Sequence, residues 1–187
     1  MNKKQGRILI IIGTLLLITA MSLVLWNIIE EKNAEKTSGE VLEKLEQAIE
    51  SGEFLENDVF EYDSKSYIGI LSIPSLDIEV PVQNEWSYDN LKLSPCQYTL
   101  IGGEKMIVGG YSYSAFFENL DKISSGDEIY FTSLDGAVNT YEMQWSELLT
   151  SGDDEALASD ENAWDLTVFT YTWSGRQWVT VRAVLTK

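Results

Sequence analysis

Chemistry on this chain has few residues to work with. Among 187 residues there is one thiol, Cys96, and no histidine. A cysteine attacks as its thiolate, and Cys96 sits in Ser94-Pro-Cys-Gln-Tyr98 with no imidazole anywhere in the chain to draw off its proton. A lone cysteine also excludes an intramolecular disulfide and a Cys/His zinc site. A Ser-Lys dyad needs no imidazole, and Ser112 and Ser114 lie near Lys122, but nothing in their spacing marks such a pair. The thirty acidic residues guarantee some adjacent carboxylates, which makes a two-carboxylate hydrolase an unspecific reading. Tyr111 can donate a hydrogen bond, although a tyrosine in an aromatic-rich loop more often packs.

The elements that must position these groups begin with a stretch free of charge, Ile8 to Ile29. As a helix rising 1.5 Å per residue it covers the roughly 30 Å hydrocarbon core of a bilayer. A cleaved signal peptide is the competing reading, but its apolar region is usually about 7–15 residues, and no small-x-small site follows here. Lys3, Lys4 and Arg7 precede the stretch and Glu30 and Glu31 follow it, so the positive-inside rule puts the N-terminus in the cytoplasm and everything after Glu30 outside. Trp26 suits the outer interface. The net charge is −17; beyond the span ten basic residues face thirty acidic ones, a balance of −20 that repels nucleic acid and anionic lipid.

Val41, Leu42, Leu45, Ala48 and Ile49 recur at helical spacing between acidic residues, marking an amphipathic helix over 38–51 closed by Gly52, either packed on the outer domain or serving as a stalk. The period then changes to strands near 67–73, 78–82, 105–109, 128–132, 140–145, 166–171 and 178–184, separated by Gly and Asp turn signals. A short helix over 114–123 is predicted to turn Phe116, Phe117, Leu120 and Ile123 inward. The fold class is therefore mainly β, a closed barrel preceded by a transmembrane helix and an amphipathic helix. The expected division is 1–7 cytoplasmic tail, 8–29 span, 30–66 juxtamembrane helix and linker, and 67–187 barrel domain.

Several of these runs, in order, resemble the sortases, the membrane-anchored cysteine transpeptidases of Gram-positive bacteria. The match rests on Ile68-Gly-Ile-Leu-Ser-Ile-Pro74, Leu76-Asp-Ile-Glu-Val-Pro-Val82, Ile107-Val-Gly-Gly-Tyr-Ser-Tyr113 with Phe117-Glu-Asn-Leu120, Gly126-Asp-Glu-Ile-Tyr-Phe131, Trp164 to Thr172, and Val179-Thr-Val-Arg182. It implies a sortase-like barrel of about eight strands over 67–186. The family's chemistry needs a nucleophilic Cys, a His for proton transfer and an Arg that supports the oxyanion. The resemblance places Gly110 where the His is expected, Tyr171 where the Cys ends its strand, and Trp178 where the Arg opens the last strand.

A pseudo-sortase is thus expected, with no cofactor and with a groove whose ligand candidates are Tyr111, Tyr171, Trp173, Arg176, Trp178 and Arg182; Arg176 shares strand parity with Trp178. Either the groove binds an extended, sorting-signal-like peptide, or it is plugged and the protein is a scaffold or a partner of an active sortase in cell-wall or pilus assembly. An active transpeptidase with a nonstandard nucleophile and a purely structural surface domain are the alternatives. The stretch 152–162 falls where sortases carry the loop over the sorting signal; Asp153, Asp154, Glu155, Asp160 and Glu161 are weak calcium candidates there, a solvated loop with a short helix being the favoured reading.

Overall fold

The computed structural model describes residues 3–55, 58–98, 105–159 and 164–187. One uninterrupted helix, α1 (Lys3–Ser51), takes up the first quarter of the chain. The span and the amphipathic helix that the sequence presents separately are two parts of this one rod, because no proline falls between them and both patterns run at the same helical period. Its apolar half stays exposed, Leu17 and Trp26 at 72% each, whereas Ala34, Ser38, Val41 and Leu45 are buried against the rest of the chain. The outer half is therefore packed on the domain, which decides against a free stalk. Gly52 stops the helix with φ +66° and donates its amide to the Ile49 carbonyl.

The strands are β1 (Phe60–Tyr62), β2 (Lys65–Ile73), β3 (Ile78–Gln83), β4 (Cys96–Gln97), β5 (Met106–Gly110), β6 (Glu128–Ser133), β7 (Val138–Thr150), β8 (Leu166–Tyr171) and β9 (Gln177–Leu185). Hydrogen bonding runs β2-β3-β4-β5-β8-β9-β7-β6, and β6 pairs back onto β2, closing an eight-stranded barrel with β1 as an extra hairpin strand. Among the described residues, closure leaves no long unpaired edge. Two pairings are parallel, β3 with β4 and β5 with β8.

Inside the barrel pack Leu71, Ile73, Val80, Val82, Val108, Val168, Val181 and Ala183. The segment 114–123 folds as turns and a short 3-10 stretch (Leu120–Lys122) rather than as the predicted helix. Phe116, Phe117, Leu120 and Ile123 nevertheless all point inward, so burial sets that segment more than local periodicity does. β7 is more than twice as long as expected and carries a bulge between Met143 and Trp145.

Candidate functional site

Strand alternation decides which side chains can form a site. On β8 and β9, Val168, Val181 and Ala183 enter the barrel, so Phe169, Tyr171 and Trp178 face outward. Register places Tyr171 opposite Trp178 and Phe169 opposite Thr180, and across the parallel edge Gly109 lies beside Phe169. These outward residues are not surrendered to water: Phe169 is fully buried and Trp178 is 3% exposed.

They belong to a ladder of ring contacts. Trp86 meets Tyr98 at 4.5 Å and Phe169 at 5.6 Å, Phe169 meets Trp178 at 4.9 Å, Trp178 meets Tyr171 at 6.1 Å, and Tyr171 meets Tyr111 at 6.4 Å. Most are tilted or edge-on, the geometry that ring quadrupoles favour. Gly109 makes the ladder possible, since a Cβ there would stand 2.5 Å from the Phe169 ring and 2.6 Å from the Trp86 ring.

Gly110 faces the other way. A Cβ built on it would meet the Phe117 ring at 2.8 Å, on the barrel-interior side, so Gly110 itself does not border the groove. The neighbour that does border it is Tyr111.

The ladder is roofed by the loop between β7 and β8. Its helix α2 (Asp154–Ala158) is capped by Asp153, whose carboxylate accepts from the Ala156 amide, and Leu157 drops fully buried onto Ile107, Phe169 and Trp178. Arg182 holds this roof down. Its Nη1 donates to the Leu157 carbonyl and to Thr167 Oγ1, both at 2.7 Å, its Nη2 to the Ala156 carbonyl at 2.8 Å, and its Nε to Glu147 Oε1 at 3.0 Å. The guanidinium lies 4.2 Å from the Trp164 ring centroid. A buried cation is tolerated because four donors are satisfied and a carboxylate faces it. Tyr98 ties the start of α2 by donating its hydroxyl to Asp154 at 2.8 Å.

Three of the predicted groove residues, Tyr111, Tyr171 and Trp178, are thus brought together. Arg182 lies on the same face but is spent on clamping the roof. Trp173 and Arg176 do not join them: both are exposed in the turn between β8 and β9, and because β9 begins at Gln177 the strand parity argued for Arg176 never reaches it. Of the acidic loop, Asp153 and Asp154 are engaged as above, Glu155 is exposed, and Asp160 and Glu161 lie outside the described residues. Among the described residues no three metal-binding side chains gather. Ser114 turns away from Lys122 to bond Glu31, and Lys122 bonds Asn119.

Sequence reasoning missed Phe169, Trp86, Tyr98 and Leu157. The first had a signal, since it alternates with Tyr171 on β8; Trp86 and Tyr98 lie in irregular segments, and the five-residue helix that carries Leu157 is too short to show a period.

Burial raises the phenols of Tyr171 and Tyr98 and the thiol of Cys96. The Tyr171 phenol is pushed up to about 12 by desolvation and by nearby Tyr88, and Tyr98 to about 12 by desolvation and Asp154. Cys96 is fully buried on β4 and desolvation pushes its thiol to about 12. Neutral phenols and a neutral thiol are poor nucleophiles, so at neutral pH this arrangement offers apolar contact and hydrogen-bond donors.

The model of the sortase domain matches residues 71–186. Solved structures agree with the fold. Sortase A from Corynebacterium diphtheriae, a lid mutant, superposes with a TM-score of 0.57 at 20% identity, covering 80% of this chain and 96% of that one. A Clostridium perfringens sortase D5 transpeptidase gives 0.58 at 22% identity, over 83% and 99%. Sortase C-3 from Streptococcus pneumoniae gives 0.58 at 20% identity, over 83% and 84%. No curated protein matches the chain.

Proposed function

The chain belongs to the sortase family, and from that premise we propose that it is a non-catalytic member, a membrane-anchored scaffold that partners an active sortase in cell-wall or pilus protein assembly. Residues 8–29 of α1 span the membrane, residues 1–7 stay in the cytoplasm, and the barrel stands outside; the flanking charges support this orientation.

One observation carries the reading. Where the family resemblance sets a nucleophile and a supporting Arg, this chain packs Tyr171 against Trp178, and Leu157 fills the space above them. For the imidazole position, Gly110 and Tyr111 both follow a glycine; only Tyr111 faces the groove, so we assign the position to Tyr111. No residue of the cluster supplies a thiolate or a base.

The test is a transpeptidation assay on the full chain in detergent, with a sorting-signal peptide and an amine acceptor. We expect no cleavage above background, and co-purification of an active sortase from native envelopes. Turnover abolished by Cys96→Ala would overturn the non-catalytic reading in favour of that thiol; turnover that survives Cys96→Ala would overturn it in favour of a nonstandard nucleophile. A second reading, binding of an extended peptide once Leu157 lifts, is favoured by the half-exposed rings of Tyr111 and Tyr171 at the mouth.

A further inference from the structure

The first charged residues after the apolar run are already attached to the barrel. Glu30 pairs with Lys92 at 2.9 Å, and Glu31 Oε1 accepts from the Ser114 amide at 2.8 Å and from its hydroxyl at 2.6 Å. No loop intervenes, because α1 continues unbroken to Ser51 with Ala34, Ser38, Val41 and Leu45 buried against the barrel. The barrel therefore cannot stand away from the membrane on a tether. At 1.5 Å per residue, Glu30 and Glu31 lie within about 3 Å of Ile29 along the helix. The polar layer outside the hydrocarbon core is about 5–7 Å deep on each side. Lys92 and Ser114, in contact with those carboxylates, must sit in that layer.

Around them stand tyrosines. Tyr88, one turn before Lys92, is 66% exposed. Tyr113, beside Ser114, stacks on Tyr111 at 5.3 Å, and Tyr111 reaches Tyr171 at the groove. Tyrosine is a residue of the membrane interface, its ring apolar and its hydroxyl wet. We propose that Tyr88, Tyr111 and Tyr113 rest on the outer leaflet as an interfacial aromatic patch, so that the mouth of the groove opens at the bilayer surface. The occupant of this face is the lipid surface itself. Anionic headgroups do not recruit it: the outer part carries −20 and Lys92 is paired with Glu30. The contact is held by the helix and by the rings, and it takes zwitterionic lipid as readily as anionic lipid. Any peptide reaching the mouth must then approach along the membrane. The inference rests on the reading of residues 8–29 as a span.

The experiment uses the full chain carrying Cys96→Ala, reconstituted in nanodiscs of phosphatidylcholine with and without phosphatidylglycerol. A fluorophore is attached at Tyr88→Cys, at Ser112→Cys as a second site in the same patch, and at Glu50→Cys, about 30 Å further along the helix. Quenching by headgroup-labelled nitroxide lipid should be several-fold stronger at 88 and 112 than at 50, in both lipid mixtures. Equal, weak quenching at all three sites in a chain that co-elutes with the discs overturns the surface contact and leaves the span standing. Strong quenching only with phosphatidylglycerol also overturns it, in favour of charge-driven binding. A chain that elutes apart from the lipid removes the span, and the inference falls with it.

Discussion

Arg182 and Leu157 are joined by a 2.7 Å hydrogen bond from the guanidinium to the backbone carbonyl, so a strand of the barrel holds the loop whose leucine fills the groove. Charge and plug form one device. The cation and the leucine are both fully buried, the first satisfied by the loop's carbonyls and the second packed on Ile107, Phe169 and Trp178.

Replacing Arg182 should release the roof. Arg182→Met leaves Thr167 and the Ala156 and Leu157 carbonyls without their donor, and each buried acceptor left unsatisfied costs about 1–3 kcal/mol, whereas Glu147, 37% exposed, can turn to water. Thermal melts read the loss, and hydrogen exchange should show protection disappearing at 156–158. Arg182→Lys should recover little of it, because one ammonium cannot reach all four acceptors. Unchanged protection in both variants would show the loop to be held elsewhere.

Trp178→Ala separates plug from binding site. With the ring 3% exposed, its removal opens a cavity worth about 3–5 kcal/mol of stability. A scaffold then shows a lower melting temperature and no peptide affinity in either form. A binder shows the same fall in melting temperature together with a peptide affinity weakened by roughly 2 kcal/mol.

Cys96 should resist alkylation in the folded protein. Its side chain is inaccessible and its thiol is pushed to about 12, so the thiolate is scarce at pH 8. Mass spectrometry should find modification only after denaturant is added. Tyr171→Cys, half-exposed at the groove mouth, should be alkylated readily and still not cleave a sorting-signal peptide.

The contact between α1 and the barrel carries a pH dependence. Hydrogen bonds from the Ser114 hydroxyl and then its amide lower the Glu31 carboxyl below its usual 4.5. A lowered native pKa favours the charged form, so the contribution is complete above about pH 4.5 and disappears as the pH falls through the native value. Glu31→Gln should therefore melt lower than the parent at pH 7, by about 1 kcal/mol given the partial exposure, and the two should converge in acid. A gap that persists at pH 3 would assign the effect to packing.

Protease added to intact cells should digest the chain beyond Glu30 and spare a short N-terminal fragment. Full protection would reverse the orientation read from Lys3, Lys4 and Arg7.

The barrel was legible because its strands are short β-branched and aromatic runs set off by Gly and Asp turn signals, and both are local properties of the chain. What stayed hidden is non-local or unusual. The β1–β2 turn has Asp63 and Ser64, both with positive φ, where a glycine would have announced a two-residue hairpin. Trp173 looked like groove because of its type, yet the turn leaves it wholly exposed. One residue of register separates Gly110 from Tyr111, and in a strand that reverses the face. The continuity of α1 was readable in principle, since the charged stretch after Ile29 contains no breaker before Gly39.

The parallel edge between β5 and β8 also governs how the protein reaches its fold. Thr170 bonds a carbonyl 60 residues away, that of Gly110, whereas β2–β3, β6–β7 and β8–β9 join neighbours in the chain. Hairpins close in about 1–10 μs, but pairings this distant pay loop entropy first and place barrels among the millisecond-to-second folders. The seam and the β2–β6 closure, which joins Gly69 to Ser133, are then the late steps, and until the seam forms Trp86, Phe169 and Trp178 stay exposed to water. Tryptophan burial should be the slowest phase in refolding, and crowded refolding should lose material to aggregation at that step; tryptophan burial completed with the earliest phase would mean that the seam nucleates the barrel instead.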